Sequence, residues 1–237
     1  NFARPASNNP LTDQFGSGDE SFMGMLIAGN TQDYVRSHAE VLAATGRYTI
    51  FSCQSDAIDN GTIVIDSCEA VDLILGLEKS DSCSLVKYKT FSQNMQQSLK
   101  DYTTRGGALF VSGANVASDM TAPQEQQFLA DVLKCKFAGK VDSPKDSISG
   151  MGQQCTYYHA INEQRYAAMN PDKLKATGKG YEALTYHGGG DAAVVYNGSD
   201  YRTMTCGFPM ECIRERNCRE KLLRDIFHFL TYNNKKA

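Results

Sequence analysis

The stretch 106–119, GGALFVSGANVASD, runs an apolar segment into a Gly-containing polar turn. An unbroken apolar run of strand length, bounded by glycines, reads as a strand covered on both faces. The turn then reads as the corner from which a helix departs, the geometry on which many enzymes mount a nucleophile. The same signature recurs earlier in the chain. FMGMLIAG, 22–29, and AVDLILG, 70–76, are apolar runs ending in Gly29 and Gly76, and YTIFSC, 48–53, is a further strand-like run. Between them lie helical patterns. Asn30 or Thr31 can cap a helix carrying Tyr34, Val35, Val41 and Leu42, which Gly46 stops; Thr90 or Ser92 can cap a second, with Met95, Leu99 and Tyr102 on one face and Gly106 at its end. APQEQQFLADVLKC predicts a third helix with Phe128, Leu129, Val132 and Leu133 inward, and RNCREKLLRDIFHFLTY a closing one with Leu222, Leu223, Ile226, Phe227 and Leu230. Strand and helix alternating in this way predict right-handed crossovers and a mostly parallel sheet with helices on both faces, an α/β class. From 140 to 190 the pattern is weak and reads as extra strands and loops. AAVVYNGSDYRTMTC predicts a hairpin through NGSD.

Residues 1–21, polar with two prolines, read as a linker or N-terminal arm, and 22–237 as one domain. The chain starts NFARPAS without an initiator Met, so a processed product or a piece of something longer is expected. A net charge of −3 with scattered Lys and Arg excludes an electrostatic footprint for nucleic acid, and no apolar stretch reaches the ~18 residues of a membrane span. The eight cysteines lie mostly in apolar segments and read as buried free thiols, with no spacing suited to zinc; no cofactor or metal is expected. Neither GxGxxG nor GxxxxGK[ST] occurs, which argues against nucleotide binding.

Ligands of open parallel sheets bind beyond the carboxyl ends of the strands. The corners after Gly29, Gly76 and Gly113 are therefore the places to look, each Gly permitting a positive φ. In a G-x-S-x-G elbow the nucleophile stands two residues after the first Gly, which here is Asn115, a carboxamide with no nucleophilic competence. Glu78, Asp119 and Glu211 are carboxylates for the same rim, paired carboxylates being the machinery of glycoside hydrolysis. The simpler readings are an ion-paired rim residue for Glu78 and a helix cap for Asp119. His187, in the loop YHGGGD, is the histidine best placed to line the rim; His38 and His228 read as packing or surface residues, and His159 as part of a strand.

AVDLILGLEKSD, TFSQNMQQSLKDYTTRGGALFVSGANVASDM and AAVVYNGSDYRTMTCGFPMECI, taken in order, resemble the class I glutamine amidotransferase-like domain of secreted bacterial proteins described as xanthan lyases or N-acetylmuramoyl-L-alanine amidases. The resemblance extends from Phe22 to Tyr232. It implies a flavodoxin-like three-layer α/β/α sandwich and a secreted, periplasmic or cell-surface setting beside neighbouring domains. It also implies a carbohydrate or cell-wall ligand. Amidotransferases of this class carry G-x-C-x-G at the corner and a late F-H-P-E. Here the nucleophile position is Asn115, and the late block is GFPME, retaining Glu211 but placing Phe208 and Pro209 where a His is needed. The implied domain is thus a binding or scaffolding one. The alternative is a hydrolase or lyase using the rim carboxylates and His187.

Overall fold

The computed structural model describes residues 34–81, 88–142, 146–160, 162 and 165–232. The predicted strand 22–29, its cap at residues 30–31 and the N-terminal arm lie outside the described residues. In chain order the elements are α1 (Tyr34–Ala43), α2 (Ser55–Asp59), β1 (Ala70–Gly76), α3 (Gln93–Thr104), β2 (Ala108–Gly113) and α4 (Pro123–Phe128), which continues into a π-turn over Leu129–Leu133. There follow β3 (Cys135–Lys140), β4 (Ser147–Gly150), β5 (Gln153–Thr156), β6 (Asp172–Ala176), β7 (Tyr181–Tyr186), β8 (Asp191–Asn197) and β9 (Arg202–Cys206). A 3-10 turn (Met210–Cys212) and α5 (Arg216–Thr231) close the chain.

β2 behaves as its sequence dictates. Every residue of it is buried. Ala108 and Phe110 face one core with Val41 and Leu42 of α1 and the apolar stripe of α5; Leu109 and Val111 face a second core with Met95, Leu99 and Tyr102 of α3 and the inner face of α4. The two-residue alternation of a strand thus feeds two helix layers. α3 begins where a capping oxygen is available, the Ser92 hydroxyl accepting from the Met95 amide at 3.1 Å, and ends before Gly106, whose φ is +85°.

The sheet itself corrects the sequence expectation. It is mixed and strongly curled, ordered β1-β2-β9-β8-β7-β4-β5, with β3 joined through β6 to β8. β1–β2 and β2–β9 pair parallel; the other six pairings among the described residues are antiparallel. The mostly parallel, flavodoxin-like three-layer sandwich is therefore not the fold. The cause lies in 135–197, where the described residues form no crossover helix and the β4–β5 and β7–β8 connections are turns that reverse the chain. Met151 and Gly152, both at positive φ (49° and 68°), make the two-residue β4–β5 turn, and Gly188, Gly189 and Gly190, all positive, make the β7–β8 turn. Such turns match strand twist only in antiparallel hairpins. The NGSD hairpin forms as expected, Asn197 opposite Arg202. YTIFSC forms no strand, and Phe51 within it is 86% exposed.

Candidate functional site

The corner after β2 comes first. Gly76 has a φ of +57°, as a sharp exit from β1 requires. Gly113 serves differently from expectation, because its φ is not positive and its role is close packing: a Cβ there would stand 2.8 Å from Leu75 Cβ and 3.2 Å from Val116 Cγ1. Residues 114–119 then form consecutive turns, and the next helix waits until Pro123. Asn115 sits at the apex, half-buried. Its Nδ2 donates to the Leu77 carbonyl at 3.1 Å and its Oδ1 accepts from Lys140 Nζ at 2.8 Å. Lys140 Nζ also donates to the Ala114 carbonyl at 3.1 Å and forms an ion pair with Asp172 Oδ1 at 2.8 Å. The other oxygen of Asp172, a fully buried residue, accepts from the Ala117 and Ser118 amides at 2.8 and 2.9 Å. An elbow enzyme takes its oxyanion donor from the residue after the nucleophile, here Val116; the Ala117 and Ser118 amides follow directly on it. Here an internal carboxylate takes them, and the apex side chain is engaged at both ends.

Asp119 and Glu78 border the same corner. Asp119 is not a helix cap but a tie between two loop segments: Oδ1 accepts from the Ser80 amide at 3.1 Å and from the Ser80 hydroxyl, and Oδ2 from the Thr90 amide at 2.9 Å and hydroxyl at 3.0 Å. Lys89 Nζ donates to the Asp119 carbonyl at 2.7 Å and pairs with Glu125 at 3.2 Å. Glu78 is buried and lines a crevice with Asp59, Lys89 and Ser92. Beside the crevice is a wider open groove of about 620 Å³, lined by Asp59, Ser80, Asp81, Tyr88, Lys89, Ser92, Gln93 and Asn94 at the start of α3. Tyrosine, carboxylate, amide and ammonium side chains line it.

The remaining two candidates are elsewhere. His187 is exposed on the β7–β8 turn, its amide bonded to the Ser147 carbonyl of β4 at 2.8 Å. Glu211, in the 3-10 turn, is fully buried; its Oε1 accepts from the Tyr166 hydroxyl, and its Oε2 lies 4.0 Å from His38 Nε2. His38 Nδ1 in turn donates to Asp72 Oδ2 at 2.8 Å. Burial alone would depress the His38 pKa, but the Asp72 and Glu211 carboxylates outweigh it and raise it above the ordinary 6.5. Gly113, Asn115, Glu78 and Asp119 therefore share one neighbourhood, and Glu211 and His187 belong to others. Asp172, Lys140 and the His38–Asp72 pair were not singled out by the sequence. The one available signal was Asp72, a lone acid inside the apolar run AVDLILG.

The thiols are also not all free. Cys155 of β5 and Cys218 of α5 form a disulfide, against the expectation of free thiols at those positions, while Cys135, Cys206 and Cys212 are buried and free. Burial pushes Cys135 up to about 12, and Cys206 and Cys212 are raised by the same cause, so none is a ready thiolate nucleophile. Among the described residues no group of three or more His, Cys, Asp or Glu side chains is arranged to hold a metal ion, and no helix is long and apolar enough to cross a membrane.

No family model and no curated protein matches the chain. Several solved structures do match. The N-terminal domain of mmIFT52 is similar at 11% identity and a TM-score of 0.50, over 85% of this chain and 92% of that one. The cytoplasmic protein STM1381 from Salmonella typhimurium LT2 is similar at 12% identity and a TM-score of 0.48, over 83% of each. Gan42B, a GH42 beta-galactosidase from G. stearothermophilus, gives 12% identity and a TM-score of 0.42 over 58% of this chain, which spans only 20% of its length. At these identities the likeness concerns fold alone.

Proposed function

We propose that this chain is a non-catalytic binding or scaffolding domain of a secreted, multidomain bacterial protein acting in polysaccharide or cell-wall metabolism. One observation carries the reading: Asn115, at the nucleophile position, is bonded through both side-chain atoms, and the neighbouring amides are filled by Asp172. A corner saturated in this way has a structural task. The Cys155–Cys218 disulfide supports an extracytoplasmic setting, since such bonds persist in oxidising compartments. The groove at the start of α3 supplies the ligand face, with Tyr88 offering a ring and Lys89, Gln93 and Asn94 offering hydrogen-bond donors. The alternative of catalysis through the rim carboxylates and His187 has less support, because Glu211 and His187 stand in clusters of their own.

The test is a glycan array of bacterial exopolysaccharide and peptidoglycan fragments, with wild-type protein and the variants Tyr88→Ala and Gln93→Ala, followed by chromatography of incubated ligands. The expected result is retention of at least one glycan class by wild type, about tenfold weaker binding in the variants, and chemically unchanged ligand. Cleavage of any of these glycans, or release of ammonia from glutamine, would overturn the non-catalytic reading. Retention unaffected by both variants would remove the groove as the ligand face.

A further inference from the structure

Behind the sheet from the groove, three ionisable side chains from three elements meet, two of them buried and Asp72 with 17% of its side chain exposed. His38 of α1 is 2% exposed and Glu211 of the 3-10 turn 0%. Both ring nitrogens of His38 face a carboxylate: Nδ1 bonds to Asp72 of β1 at 2.8 Å, and Nε2 stands 4.0 Å from Glu211 Oε2. His38 Nε2, Glu211 Oε2 and Asp72 Oδ1 are buried without a hydrogen-bond partner. An imidazole carrying its single proton on Nδ1 turns the Nε2 lone pair toward the Glu211 carboxylate, which is repulsive and, between two buried groups, costly. A second proton on Nε2 reverses that sign and gives each carboxylate a cationic partner.

The other charged and titratable groups around the ring are these. Tyr166, whose ring meets Tyr34 edge-on at 5.0 Å, donates its hydroxyl to Glu211. Arg165 donates to the Glu211 carbonyl at 3.4 Å. Arg219 of α5 donates to the Ile213 carbonyl at 2.7 Å, and its charge opposes protonation of His38. The Cys206 thiol lies near Asp72 and the Cys212 thiol near Glu211. Arginine and histidinium repel, but the two carboxylates flank the ring directly.

We propose that His38, when doubly protonated, is a latch that holds α1 onto β1 and onto the 3-10 turn, and that loss of one proton to solvent as the pH rises releases α1 and this turn together. The latch is independent of what the groove binds. Its sign follows from the two protonation equilibria. The folded pKa is raised above 6.5, so the stabilisation is complete below about 6.5 and disappears as the pH rises through the folded value.

The experiment uses wild-type protein with histidine labelled for NMR, titrated from acid to alkaline pH, with hydrogen exchange of 34–43 and 209–213 followed over the same range and corrected for intrinsic exchange rates. His38 is expected to titrate above 6.5, and the protection of both segments to fall in step with it, roughly tenfold per unit of pKa elevation, while α3 keeps its protection. His38→Gln is expected to abolish the pH step, and Asp72→Asn to move its midpoint down. A His38 that titrates at or below 6.5, one that stays singly protonated throughout, or an identical pH step in His38→Gln would overturn the latch. Should His38→Gln not fold, the wild-type titration decides.

Discussion

At the scale of single residues the corner is governed by Asp172. Its side chain is the partner of two main-chain amides and of Lys140, and β6, which carries it, is tied in by its own amide, bonded to the Ala114 and Gly207 carbonyls. Removing one member of a buried charged network leaves the others desolvated and unpaired, which costs several kcal/mol when all are buried. Lys140 keeps 29% of its side chain in contact with water and recovers part of that loss. Asp172→Ala is thus expected to destabilise the domain by about 3 kcal/mol, measured as a shift of the urea midpoint at constant slope. Asn115→Cys probes the same place chemically. The bonded partners of Asn115 are the Leu77 carbonyl and the Lys140 ammonium, with no imidazole among them. The introduced thiol lacks a base, and ammonia release from glutamine is expected to stay at background in a coupled assay. Asn115 was legible in the sequence as the residue that breaks the elbow, because the position is defined by local spacing. The bonds that occupy it were not, since they come from residues 77 and 140, distant in the chain and placed by tertiary packing.

At the scale of elements, legibility follows the source of each element's stability. α3, α5 and β2 are amphipathic or wholly apolar over long windows, and all three stand where the pattern puts them. β3 to β7 are four to six residues long, with burial interrupted along each. Their direction is set by turns such as Met151–Gly152, where a non-glycine residue holds a positive φ that composition does not advertise. Parallel pairing was over-read for that reason: helix-period segments are conspicuous, and hairpin segments of this length are not. α3 also offers a clean test of local coding. Ser92 accepts from the Met95 amide and donates to Asp59 of α2, so one hydroxyl caps one helix and ties it to another. Ser92→Ala is expected to cost about 1 kcal/mol for the cap, seen as a lower thermal midpoint, with earlier hydrogen exchange in the first turn of α3. An unchanged midpoint would mean that Thr90 or water replaces the cap.

At the scale of the whole molecule the curled sheet separates two cores, and its two ends differ in how they are secured. β1 and β2 lie between helices on both faces, whereas β4 and β5 at the other end are short and lie far along the sheet order. The far end is held to the C-terminal helix by a dense set of contacts. The Arg214 amide bonds to the Thr156 carbonyl at 2.9 Å, Glu215 accepts from the Thr156 amide at 2.9 Å and from its hydroxyl at 2.6 Å, and Cys155 is bonded covalently to Cys218. The disulfide spans a sequence separation of 63 residues, and closing a loop of that length in the unfolded chain is worth up to about 4 kcal/mol in the chain-entropy limit. Noncovalent contacts surround it, so reduction is expected to weaken the end of the sheet before it unfolds the domain. The measurement is urea unfolding of wild type with and without a thiol reductant, beside a Cys155→Ser, Cys218→Ser double variant. Wild type is expected to lose about 2–4 kcal/mol on reduction, the double variant to match reduced wild type and ignore the reductant, and hydrogen exchange to open first over 147–157. A wild-type midpoint indifferent to reductant would show that the bond contributes nothing, leaving the Thr156–Glu215 contacts to hold the strand end alone.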